Sequence, residues 1–343
     1  MPATLPLLPK QPENVPWPTN DWPTAPLASD VNGVRLQHLL DFAFSQPEEL
    51  GRTHAVLAIQ GGRLVIEHYG NGHTADETYP SWSMAKSMTH ALAGFAIQDG
   101  ALELSAPITA PEWRGEGDAR APITLDDLLR MSSGLRFREE YQDAGVSDTI
   151  EMLFGAGKAD TAHFAASQPL VHAPGSHWLY SSGTTNIIAR CVAAALGLDR
   201  DGFKAFMTER LFSPIGISSA IPKFDEAGTF IGSSFCFCTP RDFARFGLLY
   251  LRGGYWDGAQ LLEPSWVDHA RTPSPNVPES EPMGYGGHWW LNIAGEGSFS
   301  ANGYDGQYIV LVPGKDLILV RHGASELQKD EVRAWLKDVA DCF

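Results

Sequence analysis

The sequence predicts an α+β fold: an antiparallel sheet flanked by N- and C-terminal helices, with an inserted all-helical domain. Three observations predict it. A helix-period run and a hairpin pattern stand near the start, a second hairpin pattern and a helix-period run stand at the end, and only short helical patterns recur between them. With 343 residues, 43% of them apolar, the chain can bury a sizeable core, as two modules or as one large domain with an insertion.

Residues 1–30, rich in Pro and Trp and without periodicity, read as an extended N-terminal arm. Val34, Leu36, Leu39, Leu40 and Phe42 then recur at helical spacing, predicting a helix to about Ser45 that ends at Gln46-Pro47. Ala55–Ile59 and Leu64–Tyr69 are β-rich runs around Gln60-Gly61-Gly62-Arg63, a hairpin signal. Met84–Gln98 reads as a helix closed by Asp99-Gly100. From Leu102 to about Ile221 short helices are expected, among them Leu125–Met131 and Ile187–Leu196. The last third carries the clearest hairpin, Tyr308–Val312 and Leu317–Arg321 around Pro313-Gly314-Lys315-Asp316. A closing helix follows, with Val332, Trp335, Leu336 and Val339 on one stripe. Residues 31–100 and 226–343 therefore form the expected sheet domain and 101–225 the helical domain, with the active site in the cleft between them.

The formal net charge is −16, from 25 Lys plus Arg and 41 Asp plus Glu. So acidic a surface, without a basic run, argues against nucleic acid and anionic membrane as partners. The first residues lack a basic region followed by an apolar stretch, so no signal peptide is expected, and the expected location is cytoplasmic. Cys191, Cys236, Cys238 and Cys342 have no zinc spacing and read as buried free thiols. No Gly-x-Ser-x-Gly elbow, His-Glu-x-x-His or phosphate loop is present, and no cofactor or metal is expected.

Ser83-Met84-Ala85-Lys86 is present at the start of a predicted helix, where residues three apart share a face and Lys86 Nζ can reach Ser83 Oγ. With 24 Ser and 8 Lys, about 0.6 such pairs arise by chance, so the spacing needs support. Support comes from Tyr180-Ser181-Ser182, about a hundred residues on and just before a helical run. A phenol beside an ammonium is expected to ionise more easily, so a Tyr180 phenolate near Lys86 would take the Ser83 proton and return it to a leaving group.

With these elements the sequence resembles the serine β-lactamase and penicillin-binding-protein superfamily, in particular class C β-lactamase-like esterases and amidases such as the 6-aminohexanoate-dimer hydrolases. Three further blocks carry the resemblance in the family's order: Leu125–Leu135 with its Ser132-Ser133-Gly134-Leu135 loop, Thr239–Leu249 with Gly253–Gly258, and Tyr285–Trp290. The resemblance implies a β-lactamase/transpeptidase-like fold and a cofactor-free serine hydrolase acting on a small ester or linear amide. Ser83 would be the nucleophile, Lys86 and Tyr180 the base and acid, and Ser182 would hold Lys86. The Ser83 and Tyr304 N–H groups would form the oxyanion hole. The family's Lys-Thr-Gly element is replaced by Ala301-Asn302-Gly303, because Lys315 lies in a turn at the far end of a strand. Lacking that cation, the site is expected to be poor at penicillin or cephalosporin hydrolysis. Tyr141, within Arg138–Asp143, matches a substrate-facing tyrosine, and Trp178, Asn302 and Gly303 complete the expected substrate-binding set. Trp289, Trp290 and Tyr304 fall near the same cleft. A β-lactamase, a D-amino-acid peptidase and a penicillin sensor without turnover are the alternatives, and a homodimer stays open.

Overall fold

A computed structural model of the chain describes residues 5–70, 72–141 and 146–343. The first four residues of the arm, and Gln142 and Asp143 of the Tyr141 segment, lie outside the described residues.

β1 (Arg52–Gln60) and β2 (Arg63–Tyr69) are joined at Gly61-Gly62, both left-handed at φ 57° and 72°, a turn whose twist matches that of the strands it joins. β3 (Trp290–Leu291), β4 (Phe299–Gly303), β5 (Gln307–Val312) and β6 (Leu317–Ala324) complete an antiparallel sheet in the order β2-β1-β6-β5-β4-β3. The first hairpin thus pairs with the last strand, Val56 opposite Arg321 and Ile59 opposite Ile318. Leu57, Ile59, Ile309, Leu311, Ile318 and Val320 pack on one face, and Val56, Ala58, Val310, Leu317 and Leu319 on the other. Both faces are covered, so these strands read as unbroken apolar runs.

The α-helices longer than four residues are α1 (Gly33–Ser45), α2 (Met84–Gln98), α3 (Leu125–Leu129), α4 (Asp148–Leu153), α5 (Thr161–Ala166), α6 (Ser182–Ala195), α7 (Arg200–Met207), α8 (Pro240–Leu251), α9 (Pro264–Arg271) and α10 (Lys329–Ala340). α1 and α10 cover the second face of the sheet with Leu36, Leu40, Val332, Trp335 and Leu336, and Trp335 Nε1 donates to the Leu39 carbonyl at 2.9 Å. α2 and α8 cover the first face, and every α2 residue from Met84 to Ala96 is buried. The helices α3 to α7, all but α6 of eight residues or fewer, each begin at a Thr, Ser or Asp whose side chain accepts from the backbone N–H three residues on. Such caps are worth about 1 kcal/mol each and let helices this short persist.

Two helix limits differ from expectation. The helix predicted for Leu125–Met131 stops at Leu129, because Met131 turns left-handed at φ 59°. The helix predicted from Ile187 starts at Ser182, because Ser181 caps it through the Thr184 N–H.

Residues 5–32 contain no helix and run along the body. Arg245 donates to the carbonyls of Pro18 and Asn20, and Trp22 Nε1 to that of Arg241. All four cysteines are buried and free. Among the described residues no helix is long and apolar enough to cross a membrane.

Candidate active site

Ser83 occupies the N-cap of α2, yet its hydroxyl makes no capping bond. It receives Lys86 Nζ instead, at 2.9 Å. Lys86 is 1% exposed and also donates to Ser182 Oγ and to the Ser233 carbonyl, both at 3.0 Å. An ammonium has three donors, and these oxygens use all three. Burial lowers the Lys86 pKa to about 8, against a smaller opposing pull from the Glu139 carboxylate.

The directions of these bonds decide where a proton can go. The Ser233 carbonyl only accepts. Ser182 Oγ donates to Glu139 Oε1 at 2.5 Å, and its own N–H reaches Glu139 Oε2 at 2.7 Å, so its hydroxyl proton is committed. When Lys86 is neutral, Ser83 is the one of its three partners able to turn and donate to it.

Tyr180 lies against the same ammonium, its ring centroid 4.9 Å from Nζ, and its hydroxyl is hydrogen-bonded to Ser83. Here the structure corrects an expectation. Burial first and the Glu139 carboxylate second push the Tyr180 phenol well above its ordinary pKa, so it is a proton donor at neutral pH and not a phenolate.

The loop carrying Tyr180 is held by the chain after α3. Leu179 N–H donates to the Met131 carbonyl at 2.7 Å, and Gly175 N–H to that of Ser132 at 2.8 Å. Gly134, left-handed at φ 77°, has no room for a Cβ beside the His172 carbonyl. His288 locks the helices together: Nδ1 donates to the Leu129 carbonyl at 2.8 Å, Nε2 accepts from Thr185 at 2.9 Å, and its own carbonyl accepts from Ser87 at 2.8 Å. Burial lowers its pKa to about 3, which keeps the ring neutral for this pair of bonds.

β4 forms the facing edge. Ala301 is buried in the core, while Asn302, Gly303 and Tyr304 line a cleft of about 330 Å³ together with Ser83, Glu139, Tyr141, Tyr180 and Trp290. A Cβ on Gly303 would lie 2.5 Å from the Ser81 carbonyl, so glycine is required here by the backbone before Ser83 itself. The Asn302 amide has both polar atoms buried and unpaired among the described residues. Arg321, fully buried, fixes the following turn by donating to the Gly306 carbonyl at 2.8 Å and to Ser325 Oγ at 2.8 Å. Lys315 is tied to the Ala340 carbonyl at 2.7 Å.

Of the expected residues, Ser83, Lys86, Tyr180 and Ser182 meet at one point, and Tyr141, Asn302, Gly303 and Tyr304 face it. Trp178 does not line the cleft, which corrects its place in the substrate-binding set. It is 6% exposed and packs behind Tyr285 and Trp290, at 5.7 and 6.3 Å between ring centroids. Trp289 is likewise core, its ring tilted against Tyr250 and edge-on to Phe299. Glu139 escaped the sequence reading, since a carboxylate within Arg138-Glu139-Glu140 looks like a solvated charge run.

The family model described as beta-lactamase matches residues 48–340. The 6-aminohexanoate-dimer hydrolase of Paenarthrobacter ureafaciens is 25% identical over 301 residues, covering 82% of this chain and 75% of that protein. Among solved structures, a candidate 6-aminohexanoate-dimer hydrolase of Bacillus anthracis superposes with a TM-score of 0.74 at 22% identity, covering 98% of this chain and 89% of the other. A penicillin-binding protein of Bacillus halodurans does so with a TM-score of 0.67 at 16% identity, over 88% and 99%. At these identities the likeness to the solved structures establishes the shared fold.

Proposed function

Since the chain belongs to the beta-lactamase family, whose members include hydrolases, we propose that it is a serine hydrolase cleaving a small ester or linear amide through an acyl-enzyme on Ser83. The observation that carries the reading is the buried Lys86, whose pKa lies near 8 and whose bond to Ser83 is the one that can reverse.

In acylation, Ser83 Oγ attacks the carbonyl carbon and its proton passes to neutral Lys86. The N–H groups of Ser83 and Tyr304 hold the oxyanion, a contribution of the kind worth about 3 kcal/mol per donor. Tyr180, protonated and hydrogen-bonded to Ser83, gives its proton to the departing oxygen or nitrogen as the carbonyl reforms. Once the leaving group has gone, the proton held on Lys86 passes to Tyr180 through water entering the cleft, leaving Lys86 neutral again. In deacylation, water attacks the ester while the same pair removes its proton, releasing the acid and regenerating Ser83. Glu139 keeps Ser182 pointing away from Lys86 and so keeps Ser83 as the proton source.

The cleft favours certain substrates. Glu139, Glu140, Glu281, Asp305 and Glu326 line it, against Lys329 and Arg333, and no cation stands at Ala301. Neutral or amine-bearing esters and amides fit this balance better than carboxylate-bearing β-lactams. A panel of p-nitrophenyl esters, 6-aminohexanoate dimer and nitrocefin tests the reading. Turnover of an ester with little nitrocefin hydrolysis is expected, turnover of the dimer would extend the reading to linear amides with charged ends, and efficient nitrocefin hydrolysis would overturn the preference. An acyl-enzyme that accumulates in intact-mass measurements without turnover would instead establish a sensor.

A further inference from the structure

Two cavities meet at Ser83. The larger, of about 330 Å³, holds Tyr180 and the carboxylates. The smaller, of about 90 Å³, shares Ser83, Tyr141 and Tyr304 with it and is otherwise walled mainly by Trp82, Thr149, Ile150, Leu153 and Phe154. No charged side chain lines it among the described residues, and Tyr180 does not reach it. Besides the nucleophile, its hydroxyls are engaged or sealed: Ser182 and Tyr141 donate to Glu139, Ser234 is bonded to Ser233, Tyr304 pairs with Glu326, and Thr149 Oγ1 is shut off from solvent.

The acid that protonates a leaving group has to touch the departing atom, so the leaving group belongs on the Tyr180 side. The acyl half is then directed to the other cavity. We propose that the pocket formed by Trp82 and the α4 segment is an acyl pocket, and that it takes an uncharged, straight alkyl chain. Size sets the length. An apolar cavity of about 150 Å³ admits the six carbons of benzene, so about 90 Å³ admits roughly three or four carbons beyond the carbonyl. The inference rests on Ser83 as nucleophile and narrows the substrate to short-chain acyl esters or amides, with polar or amine-bearing leaving groups in the larger cleft.

The test uses two ester series. In one the acyl chain of p-nitrophenyl esters runs from acetate to octanoate, and in the other the alcohol of alkyl acetates is lengthened. For the acyl series kcat/KM is expected to rise about fourfold per methylene to butyrate or pentanoate, as each is buried, and to fall at least tenfold by octanoate. Ile150 is only half-buried, so Ile150→Trp and Ile150→Ala leave the core intact. Ile150→Trp should move the optimum to acetate and Ile150→Ala to longer acids, both without moving the alkyl-acetate profile. Ser83-dependent hydrolysis that stays flat or keeps rising to octanoate would overturn the acyl pocket and leave the nucleophile standing. So would Ile150 variants that move the alkyl-acetate series instead. Absence of Ser83-dependent turnover in both series would overturn the nucleophile reading itself.

Discussion

Lys86 is where burial becomes chemistry. Its side chain is walled in by α2, α6 and the Ser233 segment, and desolvation brings its pKa from 10.5 to about 8. The neutral form, which is the base, therefore grows tenfold per pH unit below about 8 and levels off above it. The pH profile of kcat/KM is expected to show that acid limb. Glu139 opposes the shift, so Glu139→Gln should move the limb to lower pH while its amide still accepts from Ser182. A limb that stays in place would remove Glu139 from the proton circuit. The residues of the site differ in how far the sequence reveals them. Ser83 and Lys86 share one helical turn and Tyr180 and Ser182 one short loop, so each pair is a local pattern that the family resemblance can join to the other. Glu139 reaches Ser182, 43 positions further along the chain, by a tertiary contact that no local pattern encodes.

At the level of elements, strands buried on both faces and helices with one apolar stripe announced themselves. The β1–β2 and β5–β6 hairpins and the closing helices stand where periodicity put them, because turn chemistry and burial agree there. What stayed hidden were the ends of helices set by single backbone conformations, such as the left-handed Met131, and the side of an aromatic that faces a core, as with Trp178. β4 carries the sharpest consequence. Gly303 lies against the Ser81 carbonyl, so Gly303→Ala has to push apart the strand and the backbone leading into Ser83. Displacing the Tyr304 N–H should lower kcat about a hundredfold with a smaller change in KM. A Gly303→Ala enzyme with unchanged kcat would exclude Tyr304 from the oxyanion hole.

Across the whole molecule, the charge of −16 and the five carboxylates at the cleft act in the same direction. An ester with an amine-bearing leaving group should outpace its carboxylate-bearing counterpart at low ionic strength. The gap should narrow as salt is added, since about 0.15 M salt screens charges beyond roughly 8 Å. A preference that salt does not change would mean that local contacts, and not the field, set it.

All of these expectations depend on Ser83 becoming acylated. Intact-mass and peptide-mapping measurements after treatment with a fluorophosphonate test this most directly. One adduct per chain, on the peptide holding Ser83 and absent from Ser83→Ala, is the expected result, whereas an adduct elsewhere, or undiminished labelling of Ser83→Ala, would contradict it.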